Sequence, residues 1–501
     1  MQGFTYIDLI ILVVYLAAVL FAGLHFAKKE MKGKEYFKGD GTVPWWVTSV
    51  SIFATLLSPI SFLSLAGNSY AGTWIMWFAQ LGMLLAIPIT IKFFLPIYSK
   101  LDIDTAYHYL ELRFESKGLR VLGAVMFIVY QIGRMSIIMY LPCMVLGSLT
   151  GISVNLLIII MGVIAIIYSY TGGLKSVLWT DFIQGSVLLI GVTFALVFLL
   201  VHLDGGFGAI AHAFTAEHKF LAVDQPIFNA NIFKDSVFIL IVGAGFNTMG
   251  SYVSSQDIVQ RFTTTTDTKK LNKMMLTNGA LSIFIATVFY LIGTGLFVFY
   301  KQNALPPAAA QDQIFASYIA FELPVGVTGL LLAAIYAAAQ STLSTGLNSV
   351  ASSWALDIQS NLSKEELGFE KETKIGQRVS LAVGIFSIVV AMVLANGGVK
   401  SAYEWFNGFM GLVLGILIGT FILGAFTKVA NTFGATAAFI AASAVMVYIK
   451  YFVPAGQVTI WSYSIISIAV SLVVGIPASI IWRNIKGDKS EPAPNTTIYK
   501  N

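Results

Sequence analysis

WWVTSVSIFATLLSPISFLSLAGNSY, residues 45–70, is apolar and long enough to cross a membrane, but Thr55-Leu56-Leu57-Ser58-Pro59 interrupts it near its middle. Pro59 has no backbone N–H and disfavours helical geometry at Ser58, so carbonyl oxygens about one turn earlier lose their helical donors. Inside a bilayer such carbonyls must face protein or a water-filled cavity. The stretch therefore predicts either a helix that is broken at a functional cavity or an ordinary proline kink.

The composition of the whole chain is that of a membrane protein. Of its 501 residues, 57% are hydrophobic and only 11% are charged, with a mean hydropathy of +0.80, whereas soluble chains carry about 25% charged residues. This composition excludes a soluble, disordered or nucleic-acid-binding protein. The single cysteine, Cys143, forms no internal disulfide, and no Cys/His cluster indicates a metal site. We therefore expect an all-α polytopic membrane protein embedded in a lipid bilayer.

Thirteen segments are long and apolar enough to span the membrane as helices, which takes about 20 residues each. They are 6–25, 45–70, 74–98, 119–148, 152–170, 174–201, 235–258, 271–300, 325–355, 375–396, 403–427, 432–452 and 460–482. Basic residues cluster after the first segment, from Lys28 to Lys38, which indicates that this side is cytoplasmic. With sides alternating from there, and with residues at the very ends of spans counted with the adjoining loop, only five of the 30 Lys and Arg residues fall on the outer side, and two, Lys92 and Arg134, lie deeper within spans. We predict that the N-terminus lies outside and the C-terminus inside.

A second interruption is predicted in segment 235–258, where Gly243-Ala244-Gly245-Phe246-Asn247-Thr248-Met249-Gly250-Ser251 places three glycines at mid-depth. Close helix packing through small residues would explain the same glycines. The position of the segment favours a break, because residues 45–201 and 235–427 each form a set of five spans that begins with an interrupted helix. Two sets of five run through the membrane in opposite directions. This is the inverted-repeat architecture of alternating-access transporters.

The sequence is accordingly divided into six parts around these two repeats. They are a leading helix with a cytoplasmic loop (1–44), the first repeat (45–201), an outer loop (202–234), the second repeat (235–427), two C-terminal helices (428–484) and a cytoplasmic tail (485–501).

Two charged residues lie well inside predicted spans, Arg134 in 119–148 and Asp181 in 174–201. Intramembrane charges usually mark a substrate or ion path, although a structural ion pair between these two would also explain them. A guanidinium group can hold a carboxylate in a bidentate fork, so Arg134 suits an anionic substrate. The carboxylate of Asp181 is a hard oxygen ligand that suits a small cation.

Hydroxyl groups are concentrated in the segment Ala337–Thr345. Those that share one helix face at i, i+3 and i+4 are Ser341, Ser344 and Thr345, and Ala338 and Thr342 lie beside that face. Hydroxyls that bond back to their own helix would explain the same pattern. Combined with a carboxylate and with carbonyls freed near Ala54 and Leu57, however, they make the set of oxygen donors that Na⁺ prefers.

At these residues the chain resembles the sodium/solute symporter family over nearly its whole length. The motifs that carry the resemblance are FATLLS (53–58), YTGG (170–173), WTDFIQG (179–185), SQDIVQR (255–261) and AAAQSTLSTGLNS (337–349). Gly133-Arg134 is similar to the arginine position of the bacterial sodium-coupled sialic acid transporters in this family. Leu56 and Pro59 depart from that branch, which has threonine and serine at these positions.

The resemblance implies the leucine-transporter-like core of two inverted five-helix repeats with broken first helices, and two Na⁺ ions as coupling ions. The implied main sodium site consists of Ala54, Leu57, Ala338, Ser341 and Thr342. The implied second sodium site consists of Asp181, Ser341, Ser344 and Thr345. The implied substrate contacts are Ser58, Ser61, Gln80 and Arg134, with the arginine on the carboxylate of the substrate.

The expected function is sodium-coupled import of an anionic sugar acid, sialic acid above all, through a bacterial cytoplasmic membrane, with no obligatory protein partner. Symport of another small carboxylate or of a neutral sugar is the nearest alternative. A membrane sensor would need an appended signalling domain, and the chain ends about 20 residues after its last span. A channel would need a continuous polar stripe. We expect no enzymatic activity, because no phosphate loop, HExxH or GxSxG motif is present.

Overall fold

The computed structural model describes residues 5–26, 34–303, 311–363, 368–397, 402–454, 456–487 and 491–499, and this part of the chain is helical without strands. The helices are α1 (Tyr6–Phe26), α2 (Lys34–Lys38), α3 (Trp45–Leu56), α4 (Pro59–Ala71), α5 (Trp74–Leu101), α6 (His108–Phe114), α7 (Lys117–Thr150), α8 (Val154–His202), α9 (Gly206–Ala216), α10 (Val237–Ser254), α11 (Gln256–Phe262), α12 (Thr268–Gln302), α13 (Ile314–Phe321), α14 (Val327–Leu362), α15 (Phe369–Asn396), α16 (Ala402–Phe426), α17 (Thr432–Phe452) and α18 (Tyr463–Lys486).

Membrane-spanning helices make up most of the described residues. Ten helices are long and apolar enough to cross a bilayer, and α3 and α4 together make an eleventh span that is bent by 63°. Two shorter apolar helices, Val154–Ile167 and Gly411–Phe426, cover two further predicted segments. The structure thus has the predicted all-helical membrane architecture, whereas the count of thirteen spans stays a prediction.

The first predicted break lies where Pro59 places it. Helix α3 ends at Leu56, Leu57 and Ser58 have extended backbones, and α4 begins at Pro59. Proline is well suited to the first turn of a helix, where its missing N–H has no intrahelical partner to lose. The Ser58 side chain caps α4 by accepting a hydrogen bond from the Ser61 backbone N–H at 3.2 Å. Pro59 therefore both ends α3 and starts α4.

The second predicted break is in the wrong place. Residues 243–251 are helical throughout as part of α10, and the chain leaves helical geometry only at Ser255 (φ −92°, ψ 117°), between α10 and α11. The glycines serve close packing instead, since a Cβ on Gly243 would lie 2.1 Å from the Trp461 carbonyl oxygen. The carbonyls that α10 leaves open are met from outside, because Tyr107 Oη donates to the Ser254 carbonyl at 3.0 Å.

The leading helix is fixed to the core by a buried carboxylate. Asp8 on α1 accepts hydrogen bonds from the backbone N–H groups of Gly326 at 2.8 Å and Gly329 at 2.9 Å, where α14 begins. A carboxylate at a helix N-terminus satisfies open donors and is favoured by the helix dipole. Helix α14, which carries the predicted sodium ligands, thereby has its N-terminal end held in place.

Gly293 tests the packing that holds the second half of the broken helix. It lies on α12, and a Cβ there would meet the Ala66 carbonyl oxygen of α4 at 2.2 Å. We expect Gly293→Ala to force the two helices apart and to lower the free energy of unfolding by about 1–3 kcal/mol. The measurement is the melting temperature in detergent. Gly208→Ala on α9 is the matched control, because no atom lies within 4 Å of the added methyl group; equal melting temperatures for the two variants would contradict the packing.

Candidate functional site

A cavity of about 170 Å³ lies beside the first break, and three of the four predicted substrate contacts line it. These three are Ser61, Gln80 and Arg134. The other polar side chains on its wall are Tyr130, Asn247, Thr248, Ser251, Ser255 and Asp257, and its apolar wall includes Leu56, Ile60, Phe406 and Trp461. Helices from both halves of the chain therefore meet at one cavity that has polar and apolar sides.

The fourth predicted contact, Ser58, lies behind the cavity wall. Its side chain is buried and serves as the cap of α4, with its Oγ 3.3 Å from Ser61 Oγ. Ser58 therefore orients Ser61, which lines the cavity, and the two hydroxyls form a short polar chain at the start of α4.

Arg134 reaches the broken helix from α7. Its Nη2 donates to the Thr55 carbonyl oxygen at 2.6 Å, and its Nη1 is bonded to the carboxylate of Asp257. The Thr55 carbonyl is open because its helical donor would be the N–H of residue 59, which is proline. The Nε of Arg134 has no hydrogen-bond partner within the described residues, so one donor of a buried guanidinium is left for a ligand.

Four of the five predicted main sodium ligands lie together at the break. Ser341 Oγ is 3.0 Å from the Ala54 carbonyl oxygen and 3.2 Å from that of Ala338. Thr342 Oγ1 is 3.1 Å from the Ala338 carbonyl and 3.4 Å from the Thr55 carbonyl. Leu57 lies in the extended segment at the break, and its carbonyl takes no part in these hydrogen bonds. Two hydroxyls and the carbonyls of Ala54 on α3 and Ala338 on α14 make a set of hard oxygen donors.

The predicted second sodium ligands surround the carboxylate of Asp181 on α8. Thr345 Oγ1 donates to Asp181 Oδ2 at 3.1 Å, Ser344 Oγ lies 3.4 Å from Oδ1, and Ser344 Oγ also bonds to the Ser341 carbonyl at 3.1 Å. All these groups are fully buried. Of the three hydroxyls predicted beside Asp181, those of Ser344 and Thr345 contact its carboxylate, whereas that of Ser341 bonds to the carbonyls of Ala54 and Ala338.

The structure adds two charged residues that were not predicted as site residues, Asp257 and Arg261 on α11. Arg261 Nη2 lies 2.7 Å from Asp181 Oδ2 and 2.6 Å from Thr345 Oγ1, and Asp257 pairs with Arg134. The proposed alternative, an ion pair between Arg134 and Asp181, is therefore wrong, since each pairs with a residue of α11. Both new residues belong to the SQDIVQR motif, but the predicted span 235–258 ends between them, so neither stood out as a charge well inside the membrane.

Two neutral groups of α3 were missed as well. Ser51 Oγ donates to Asp181 Oδ2 at 2.6 Å and accepts from Arg261 Nε at 2.9 Å, whereas Thr55 Oγ1 lies 3.3 Å from Thr345 Oγ1. Ser51 and Thr55 are four residues apart and share a helix face, which is the signal that could have identified them.

Comparisons with known proteins agree with this architecture. The model of the sodium:solute symporter family matches residues 36–442. The chain is 33% identical to the sodium/sialic acid symporter SiaT of Proteus mirabilis (strain HI4320), over 99% of this chain and 100% of the relative. It is 30% identical to the sodium/sialic acid symporter NanT of Aliivibrio fischeri (strain ATCC 700601 / ES114), over 97% and 96% of the two chains.

A solved structure shares the fold over nearly the whole chain. It is a Na⁺-coupled sialic acid symporter in its substrate-bound outward-open state, with a TM-score of 0.89 and 32% identity, and the match covers 95% of this chain and 98% of that one. That structure is described as revealing a novel Na⁺ site. The relatives named here are all symporters rather than enzymes.

The Asp181–Arg261 pair provides a test of the site's electrostatics. Removing either partner, as Asp181→Ala or Arg261→Ala, leaves a buried charge without its counter-ion, and we expect a loss of about 3–5 kcal/mol in unfolding free energy. The double variant should lose much less than the sum, measured by a double-mutant cycle in detergent. The exposed pair Lys301–Glu217, with N–O distance 2.6 Å, is the control and should show no resolvable coupling. Additive losses at Asp181 and Arg261 would refute the pairing.

Proposed function

The chain belongs to the sodium:solute symporter family, and from this premise we propose that it is a secondary active symporter that imports sialic acid (N-acetylneuraminate) with Na⁺. The observation that carries the proposal is Arg134, a buried guanidinium on the wall of a cavity that also has hydroxyl and amide groups. A charge in the middle of a membrane protein is costly and usually serves a substrate or ion path. Two relatives that match over nearly their full length are sodium/sialic acid symporters.

The substrate's carboxylate binds Arg134 in this proposal, since a guanidinium matches the carboxylate geometry. Ser61 and Gln80, on the same cavity wall, bind hydroxyl and amide groups of the sugar. Ser58 holds Ser61 in place through the cap of α4. The apolar side chains of Leu56 and Ile60 line the cavity between these groups.

The main Na⁺ binds between α3 and α14 in this proposal, with Ala54, Leu57, Ala338, Ser341 and Thr342 as ligands. Support comes from the close approach of the Ser341 and Thr342 hydroxyls to carbonyls at the break. An ion at this point replaces weak hydroxyl–carbonyl contacts with direct coordination of both helices. It therefore ties the broken helix to α14 while it is bound.

A second Na⁺ binds at Asp181 in this proposal, with Ser341, Ser344 and Thr345 as further ligands. The short distances from Asp181 to the Ser344 and Thr345 hydroxyls support this set. The carboxylate supplies the one full negative charge among the proposed sodium ligands. This site is therefore the more sensitive to nearby charges.

The finer architecture belongs to the same proposal. Thirteen helices span a bacterial cytoplasmic membrane with the N-terminus outside and the C-terminus inside, and residues 45–201 and 235–427 are inverted repeats. The two observed breaks support the repeats, because the break at Leu57–Ser58 and the break at Ser255 both lie in the first span of their set. The parts outside the repeats are 1–44, 202–234, 428–484 and 485–501.

Transport proceeds by alternating access to the cavity beside the first break. Sodium drives uptake only if it binds the outward-facing and inward-facing states with different affinity. Na⁺ at the main site holds α3 and α14 together and favours the state open to the outside, and the sugar acid then bridges the two repeats. Rocking of the repeats exposes both ligands to the cytoplasm.

Uptake of labelled N-acetylneuraminate into proteoliposomes tests this function. We expect accumulation with an inward Na⁺ gradient and none when choline replaces Na⁺. Arg134→Ala should abolish accumulation of the acid, because the carboxylate loses its counter-ion. Competition by other small carboxylates in the same assay separates sialic acid from the nearest alternative substrates. Equal uptake in Na⁺ and choline would contradict the assignment of the sodium sites. Absence of uptake by folded protein would contradict the assignment of sialic acid as the substrate.

Membrane potential tests the number of sodium ions. Two Na⁺ with one anionic substrate carry one net positive charge inward, whereas one Na⁺ gives an electroneutral cycle. Each charge that crosses 100 mV contributes about 2.3 kcal/mol, so a potential that is negative inside should raise accumulation by up to about fifty-fold. The measurement is uptake under a potassium diffusion potential with valinomycin. Accumulation that does not depend on the membrane potential would indicate that one sodium ion is transported per substrate, and it would exclude the second sodium site.

A further inference from the structure

The short helix α11 carries two buried charged residues that have no role in the transport cycle proposed above. Asp257 and Arg261 are four residues apart on this helix, and both are fully buried. Each pairs with a residue on another helix, Asp257 with Arg134 on α7 and Arg261 with Asp181 on α8. Helix α11 thus contributes one partner to each of two buried ion pairs.

The two partners of α11 are the two groups to which the proposed function assigns charged ligands. The carboxylate of Asp257 forms an ion pair with Arg134, whose guanidinium binds the substrate's carboxylate in the proposed function. The guanidinium of Arg261 forms an ion pair with Asp181, whose carboxylate binds the second sodium ion in the proposed function. Arg261 also donates to Thr345 Oγ1, another proposed ligand of that ion. The Asp257 carboxylate therefore lies at the proposed binding site of the substrate's carboxylate, and the Arg261 cation lies at the proposed binding site of the second sodium ion.

Binding of one ligand alone leaves a buried charge without a partner. If the substrate takes Arg134, Asp257 loses its counter-ion, and if sodium takes Asp181, Arg261 loses its own. An uncompensated buried charge is strongly destabilising. When both ligands bind, the two released side chains are an Asp and an Arg at i and i+4 on one helix, a spacing at which they face each other. Arg261 Nη1 is already bonded to the Asp257 carbonyl oxygen.

We propose that Asp257 and Arg261 are internal counter-ions that the substrate's carboxylate and the second sodium ion displace, and that the pairing of the two released side chains makes sodium and substrate binding cooperative. This proposal rests on the proposed function and identifies how its two ligands are coupled. The first ligand to bind leaves one charge unpaired, and the second ligand relieves that cost. Neither ligand fills its site well without the other, which is what tight coupling requires.

The same helix also bonds to the segment before α6 and to α14. Gln256 Oε1 accepts a hydrogen bond from the Ala106 N–H at 2.8 Å, and Gln260 Nε2 donates to Asn348 Oδ1 at 2.8 Å. Gln256 and Gln260 directly precede Asp257 and Arg261 along α11. An exchange of counter-ions therefore acts on a helix that is hydrogen-bonded both to the loop before α6 and to α14. The coupling thereby also reaches α14 and the loop before α6.

Single variants of Asp257 and Arg261 distinguish exchangeable counter-ions from purely structural ion pairs, because each variant should gain affinity for one ligand. In Asp257→Asn, Arg134 has no competing carboxylate, so N-acetylneuraminate in choline should bind about tenfold more tightly than to the wild type. In Arg261→Gln, Asp181 has no competing cation, so Na⁺ without substrate should bind about tenfold more tightly. Both variants should lose most of the mutual enhancement, which for coupled sites is ordinarily about 5-fold to 150-fold.

The measurements are tryptophan fluorescence titrations and calorimetry on purified full-length protein, with folding checked by melting temperature. Asp257→Glu and Arg261→Lys keep the charges and should keep wild-type cooperativity. Asp357→Asn is the matched control, because Asp357 is an equally buried carboxylate that pairs with Arg120 at a distance of 2.6 Å, and neither partner bonds to a residue of α11. This variant should lower stability without any gain in affinity.

The outcomes distinguish this proposal from the function on which it rests. Loss of all sodium-dependent uptake in the wild type would overturn the function. Sodium-coupled uptake in the wild type, combined with unchanged or weaker single-ligand binding in both Asp257→Asn and Arg261→Gln, would overturn the exchange of counter-ions and leave the function standing. A gain in affinity that also occurs in Asp357→Asn would overturn it too, because the gain would then reflect general loosening.

Discussion

The carbonyl oxygen of Thr55 has no helical donor, because the residue four positions later is Pro59, and the arrangement of the site follows from this one open acceptor. In a bilayer each unsatisfied backbone group costs several kcal/mol, so the acceptor must be met by another part of the protein. It is met by Arg134 from α7 and Thr342 from α14. A single oxygen atom therefore joins the arginine of the proposed substrate site to a hydroxyl of the proposed main sodium site. Ligand binding at either place changes the bonding of the same carbonyl.

Local rules explain why this half of the site could be predicted from the sequence. A proline removes one identifiable N–H, and hydroxyls at i, i+3 and i+4 share a helix face in any helix. The second break does not follow from such rules. The segment Ser254-Ser255-Gln256 contains neither proline nor glycine, and its open carbonyls are met by tyrosines far away in sequence. Tyr98 Oη donates to the Val253 carbonyl at 2.5 Å and Tyr107 Oη to that of Ser254.

The position of that break also decided which charges could be recognised. Arg134 and Asp181 were identified because they lie well inside apolar segments, where a charge is unexpected. Asp257 and Arg261 lie on α11, beyond the break, where hydropathy alone places them at the cytoplasmic edge. Their burial depends on helices from both halves of the chain packing around α11. The pairing of four charges is a property of the tertiary structure, and no pattern within one segment contains it.

A comparison among the buried arginines separates charges that hold the fold from charges that can be exchanged. Arg113 donates to the carbonyls of Gly424 in the last turn of α16 and of Thr427 and Ala430 just after it. Those acceptors are fixed backbone atoms that no soluble anion resembles, so Arg113 stabilises a helix end. Arg134 and Arg261 instead have carboxylates as partners, as Arg120 has in Asp357, but only the pairs of Arg134 and Arg261 include a group of the proposed substrate or sodium site. A buried ion pair adds little stability over apolar residues of similar size. Two such pairs share the seven-residue helix α11, and each includes a proposed ligand-binding group. Exchange with charged ligands therefore explains them better than stability does.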